Sequence, residues 1–303
     1  MKKFKLFDMN RNGPGVSKDE KPLKPNLWNL PRFWFRHFTK TLNLNFVMLP
    51  IWLVPLAVVY LYITAPSMPS QMSTAYTSIY GAYLLRGGSP AWSSLLGVYG
   101  AQLNLQTYGT ARIWITVGLG ILLAVIWGWI NVGATYCAKG MFTGDPVFIW
   151  SDFKYSIKRN LWQGLALGLI DFVLLGVIGY DIYFFSRRGG GIYDFFFFAI
   201  CAVAIIYMFM RYYIYLMLVT FDIKIRKILK NALIFSILGI GRNLMTALAI
   251  VLLIGLNVLL VIAFWPINFF VPLILPIIYL LPTVCLFKVY GAYPVIEKYM
   301  IKN

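Results

Sequence analysis

Long stretches of this 303-residue chain carry no charge at all. No Lys, Arg, Asp or Glu lies between Lys40 and Arg86, between Arg112 and Lys139, or between Arg242 and Lys288. The last gap is 45 residues long, enough for two bilayer crossings at roughly 20 residues each. A soluble domain carries about 25% charged residues. Here the fraction is 12%, against 60% hydrophobic residues. The pattern is that of a polytopic membrane protein.

Six apolar spans are expected, near 44–64, 113–136, 162–184, 195–218, 243–264 and 268–287. Each is long enough to cross as a helix that satisfies its own backbone groups in lipid. The expected fold is therefore an all-α, polytopic membrane helix bundle. Residues 1–43 read as a basic cytoplasmic or interfacial segment. Residues 44–303 read as the six-span domain, with a large external loop at 66–112 and a short turn at Trp265-Pro266-Ile267-Asn268. That loop is uncharged between its arginines and rich in Ser, Thr, Gly and Tyr, which suits the lipid interface or stacking on sugars.

An even number of spans leaves both termini on one side of the membrane. The termini and the connections on their side hold 22 Lys and Arg residues, the opposite side 4, with Arg211 inside a span. The asymmetry predicts cytoplasmic termini in a cell membrane. The net charge of +17 is thereby explained by flanks of spans facing a lipid bilayer, and no nucleic-acid partner is expected.

Two connections on the basic side look alike. Ser151-Asp152-Phe153-Lys154 continues through Lys158 and Arg159; Phe221-Asp222-Ile223-Lys224 continues through Lys227 and Lys230. Apolar residues recur on one helical face in each: Trp150, Phe153, Ile157 and Leu161, then Phe221, Ile225, Ile228, Leu229 and Ala232. Both read as short basic amphipathic helices, over 150–161 and 221–231, lying on the cytoplasmic interface. Their lysines and arginines are candidate docking or lipid-facing residues. The two Asp residues stand 70 positions apart, as an internal duplication would leave them. The stretch 27–38, where aromatics and cations alternate, is a third interfacial candidate and contains the sole histidine, His37.

Ionisable residues inside spans are costly and often functional. Asp171 in the third span and Arg211 in the fourth lie at a matching depth of roughly 12–14 Å. Consecutive spans are usually neighbours, so the two form a candidate intramembrane ion pair, either fixing the packing or serving a substrate or proton. Reversing both charges together is then expected to restore more of the folded yield than either single reversal does. Pro266, Pro272, Pro276 and Pro282 predict a broken or kinked last span, and Pro50 and Pro55 a kinked first one. Gly164 and Gly168 suit close helix contact. The loop at Gly189-Gly190-Gly191 lacks the pattern of a phosphate-binding loop and reads as a connector.

Little points to catalysis. There is no His-Glu-x-x-His motif, no Cys/His cluster and no closely spaced carboxylate pair. The three cysteines, Cys137, Cys201 and Cys285, do not form a disulfide framework. The expectation is a protein that is not an enzyme and uses no metal or cofactor. No cleavable signal peptide is expected from a basic leader broken by Pro14, Pro22, Pro25 and Pro31.

Three stretches carry a family resemblance. They are Gly13-Pro14-Gly15-Val16-Ser17-Lys18-Asp19, then Gly133-Ala134-Thr135-Tyr136 with Val147 to Lys154 and Lys158-Arg159-Asn160, then Lys230-Asn231-Ala232-Leu233. Together they resemble the YesL family of bacterial integral membrane proteins, in its clostridial form. The resemblance implies an association with carbohydrate uptake beside a sugar ABC importer, and implies no catalytic residue. The expected role is thus an accessory or interaction partner of importer subunits. The alternative is a self-standing small-solute transporter or channel.

Overall fold

The computed structural model of the chain describes residues 25–63, 110–264 and 270–301, and every regular element among them is helical. A 3-10 turn at Leu27–Asn29 leads into α1 (Leu30–Arg36), α2 (Phe38–Met48) and α3 (Pro50–Ile63). Then come α4 (Thr110–Thr143), α5 (Ile149–Arg159), α6 (Leu161–Ser186), α7 (Gly191–Thr220), α8 (Ile225–Leu238), α9 (Ile240–Phe264) and α10 (Phe270–Ile296), which ends in a π turn at Glu297–Ile301.

Five segments are long and apolar enough to cross a membrane: α4, α6, α7, α9 and the stretch Ile274–Ile301. The pair α2 and α3, bent by 51° at their junction, has the length and apolarity of a sixth only when taken together, as a broken span or a re-entrant element. The protein is an all-α polytopic bundle in contact with lipid. The kink expected at Pro50 in the first span is present as this bend, whereas Pro55 lies inside α3. Pro50 has no N–H to continue the hydrogen bonding of α2, but at the first position of α3 that loss costs nothing.

The last span behaves in the opposite way. It stays one helix although Pro276, Pro282 and Pro294 lie inside it. Each proline removes one N–H bond, but they are spaced so that ordinary turns intervene, and packing against α2, α4, α7 and α9 holds the rod. Of the two expected outcomes, a break or a kink, the break is absent from the described part of α10. The turn at Trp265–Asn268, the Gly13–Asp19 stretch and nearly all of loop 66–112 lie outside the described residues.

The bundle is packed at one end and open at the other. Val132, Ala134, Cys137 and Ala138 of α4, Tyr213 to Val219 of α7, and Leu286 to Ile296 of α10 supply most of the buried core, closed by Leu44, Met48, Ile228 and Ala232. Towards the other end, Trp114, Ile121, Val173, Phe195, Phe198, Val251 and Leu259 present apolar side chains outward. Such a surface is stable against hydrocarbon, where no hydrophobic force drives helices together.

The N-terminal segment is less superficial than an interfacial strip. Leu30 and Phe33 are buried, and Trp34 Nε1 donates to Thr283 Oγ1 at 3.0 Å. The Tyr290 hydroxyl donates to the Asn26 carbonyl at 2.9 Å, and Arg242 Nη1 to the Pro25 carbonyl at 3.0 Å. Helix α2 also runs across residue 43, so the packed bundle already includes part of the segment assigned to 1–43.

Candidate functional site

Glycines bring α4 and α6 together. A side chain on Gly128 would overlap the backbone of Gly164 and Gly168, and one on Gly168 would overlap Gly128. Such close approach is what small residues permit. It places Trp127, beside Gly128, against Asp171, one turn beyond Gly168. On α7 the residues Tyr207, Arg211 and Tyr215 recur every four positions and so share one face. That face meets the same carboxylate.

Asp171 is 1% exposed and Arg211 12%. Arg211 Nε lies 2.8 Å from Asp171 Oδ1, a charge contact whose N–H points off the hydrogen-bond line. Arg211 Nη2 donates to Oδ2 at 3.2 Å. Trp127 Nε1 donates to Oδ2 at 2.7 Å, the Tyr207 hydroxyl to Oδ1 at 2.7 Å, and the Tyr215 hydroxyl to Oδ2 at 3.3 Å. An ionised carboxylate is acceptor-only and offers about four lone-pair sites. Asp171 therefore has its capacity filled by its own surroundings.

Arg211 is held but not exhausted. Its Cζ lies 5.7 Å from the Trp127 ring centroid, and its Nη1 meets the Met208 sulfur at 3.7 Å, a weak acceptor. The guanidinium lines a cavity of about 290 Å³ between the helices. Asn131 and Thr135, one and two turns along α4 from Trp127, line it too, with Tyr212, Tyr215, Cys285 and Lys288. Met48 and Ile51 close one wall at the bend between α2 and α3. Lys288 Nζ stands 6.0 Å from the Tyr212 ring centroid.

The sequence pairs Asp171 with Arg211, and the structure places them in contact. It does not single out Trp127, Tyr207, Tyr215 or Lys288. The four-residue spacing of Tyr207 and Tyr215 about Arg211 was a readable signal. Lys288 was counted with the chain end because the charge-free run stops there, whereas α10 continues to Ile296.

The two basic segments are built differently from one another. Helix α5 starts where the Phe148 N–H is accepted by Asp152 Oδ2 at 2.8 Å, and ends with Lys158 and Arg159 in its last turn, favourable to the helix dipole. Phe153 fits where Gly133 has no side chain. Ile149, Phe153 and Ser156 face inward, whereas Trp150 is 62% exposed, so the buried face is rotated from the expected one. In the second segment residues 221–224 are not helical, and α8 begins at Ile225. Lys154, Lys158, Arg159, Lys224, Lys227 and Lys230 are all exposed. Lys158, Arg159, Asn160, Trp162, Phe221 and Asp222 border one open groove.

Among the described residues no three His, Cys, Asp or Glu side chains gather as a metal site requires. No protein-family model, curated protein or solved structure matches this chain.

Proposed function

We propose that the protein binds a small solute inside the bilayer and passes it across, in the service of carbohydrate uptake. The cavity of about 290 Å³ bordered by Arg211, Lys288, Asn131 and Thr135 carries this reading. Its size is near the lower bound of ligand pockets, about 300 Å³. Polar groups at membrane depth are expensive and mark solute pathways, and a bent helix in the wall is a common transporter device. The resemblance to the YesL family supplies the carbohydrate context. The role is one of binding and passage with no bond made or broken, in a cell membrane with both termini cytoplasmic.

The test is uptake into proteoliposomes offered radiolabelled monosaccharides, disaccharides and their phosphates. Thr135→Trp, which fills the cavity, should abolish any uptake the wild type supports. Wild-type liposomes that accumulate none of these solutes would refute passage.

A second reading rests on the groove between α5 and the start of α8. There Lys158, Arg159 and Trp162 meet Phe221 and Asp222, a mix of cations and aromatics common in docking surfaces. In this reading the protein is an accessory of a sugar ABC importer. Importer subunits should then co-purify from native membranes in mild detergent, and the pair Lys158→Glu and Arg159→Glu should lose them. Recovery of the chain alone would remove this reading.

A further inference from the structure

Building on the solute-binding reading, we infer that the ligand of the central cavity is an oxyanion, held through a phosphate or carboxylate group by Lys288 and Arg211. Three observations lead there. The first is charge. Arg211 is in contact with Asp171, while Lys288 feels that carboxylate only from a distance and, among the described residues, no carboxylate borders the cavity. The second is saturation. Asp171 already receives Trp127, Tyr207, Tyr215 and Arg211, and these donors hold the carboxylate outside the cavity lining. The third is the polarity of the lining. Lys288 brings three donors and Arg211 Nη1 faces only the weak Met208 acceptor among the described residues, while Asn131, whose Nδ2 is turned back to the Trp127 carbonyl at 2.8 Å, keeps its amide oxygen as an acceptor beside them.

The lining therefore combines two cationic donors with only neutral oxygens, those of Asn131, Thr135, Tyr212 and Tyr215. A neutral sugar can meet those oxygens with its hydroxyl protons but brings no charge to set against the two cations. An oxyanion accepts only, and its charge answers the ammonium that burial in an apolar bundle makes costly. The anionic group can come from a soluble solute or from a lipid headgroup reaching in between the helices.

The experiment separates these sources. Wild-type protein is placed in phosphatidylcholine nanodiscs and offered radiolabelled glucose, gluconate and glucose 6-phosphate by equilibrium dialysis. In parallel, protein extracted from cell membranes in a sugar-free detergent is examined by native mass spectrometry for retained phosphatidylglycerol. Gluconate or glucose 6-phosphate should bind at least about tenfold tighter than glucose, Lys288→Gln should weaken that binding at least about tenfold, and Lys288→Arg should keep it. If the soluble anions do not bind but phosphatidylglycerol is retained by the wild type and lost from Lys288→Gln, the oxyanion site stands with a lipid source and the solute reading falls. If glucose binds as tightly as glucose 6-phosphate, the oxyanion inference falls and the solute cavity stands. If nothing binds and no lipid is retained, both fall. Should Lys288→Gln not fold, the wild-type ranking of glucose against its anionic analogues, and competition by inorganic phosphate but not chloride, decide the matter.

Discussion

Gly128 and Gly168 meet backbone to backbone, with no side chain on either to hold α4 and α6 apart. The contact sets the distance at which Trp127 reaches Asp171, so helix packing and the polar centre share one cause. Gly128→Val is expected to cost about 1–3 kcal/mol or more, because the obstacle is backbone that cannot swing aside. Gly118→Val, where nothing lies within 4 Å, should be close to neutral. Folded yield and melting midpoint in detergent check the contrast; equal losses at both glycines would disprove it.

The pairing of Asp171 with Arg211 is more than two opposite charges. Asp171→Asn or Arg211→Gln alone is expected to cost about 3–5 kcal/mol, since each leaves a buried partner uncompensated. The neutral double variant should recover part of that loss. Exchanging the two charges should not. A guanidinium at position 171 would face the donors of Trp127, Tyr207 and Tyr215, so the rescue expected from charge alone gives way. Melting midpoints of the four variants test this, and a charge-exchanged protein as stable as wild type would refute the donor shell.

Tyr207→Phe removes a 2.7 Å hydrogen bond to an ionised group. Such bonds contribute about 1.5–3 kcal/mol, and the melting midpoint should fall accordingly. Tyr212→Phe, whose hydroxyl has no hydrogen-bond partner among the described residues, should change stability little. A reversed order would mean that the carboxylate finds its donors elsewhere.

The type of the elements was legible because lipid imposes it. Charge-free runs long enough to cross can be little but helices, and the spans at 162–184, 195–218 and 243–264 fall inside α6, α7 and α9. What escaped depended on neighbours. Pro282 reads as a breaker, yet α10 runs through it because the surrounding helices support the turn. Phe153 and Trp150 are equally apolar on paper; Gly133 decides that Phe153 is the one buried. The polar centre was half legible, since opposite charges at equal depth announce themselves while the tyrosines that complete the shell look like ordinary membrane aromatics. Lys288 escaped because a cation beside a span reads as a flank until the length of its helix is known.

His37 is half-buried, packed edge-on against Phe33 with centroids 4.8 Å apart. Burial first, then Lys40 and Arg36, lower its pKa below the ordinary value of 6.5. The fold thus favours the neutral ring. Its contribution to stability is complete above the unfolded pKa near 6.5 and is lost as pH falls from there towards the lower folded value. The melting midpoint should decline as the pH falls below about 6.5, and His37→Gln should flatten that decline. An unchanged slope in the variant would assign the effect to other groups.

The basic end of the bundle is expected to face the cytoplasm. Lys158 and Gly190 lie at opposite ends of the α6 region, one in the last turn of α5 and the other in the turn that opens α7 with φ +127. Cys137 and Cys285 are buried, so Cys201→Ser gives a background with no native thiol at the surface among the described residues. In that background a cysteine at position 190 should react with a membrane-impermeant maleimide added to intact cells. One at position 158 should react only after the cells are opened. The expectation rests on the retention of lysine and arginine on the cytoplasmic side, reinforced by the attraction of Lys154, Lys158, Arg159, Lys224, Lys227 and Lys230 to anionic lipid, worth about 1 kcal/mol each near the surface. Labelling at position 158 in intact cells, with position 190 protected, would invert the topology and place the docking groove of the second functional reading outside the cell.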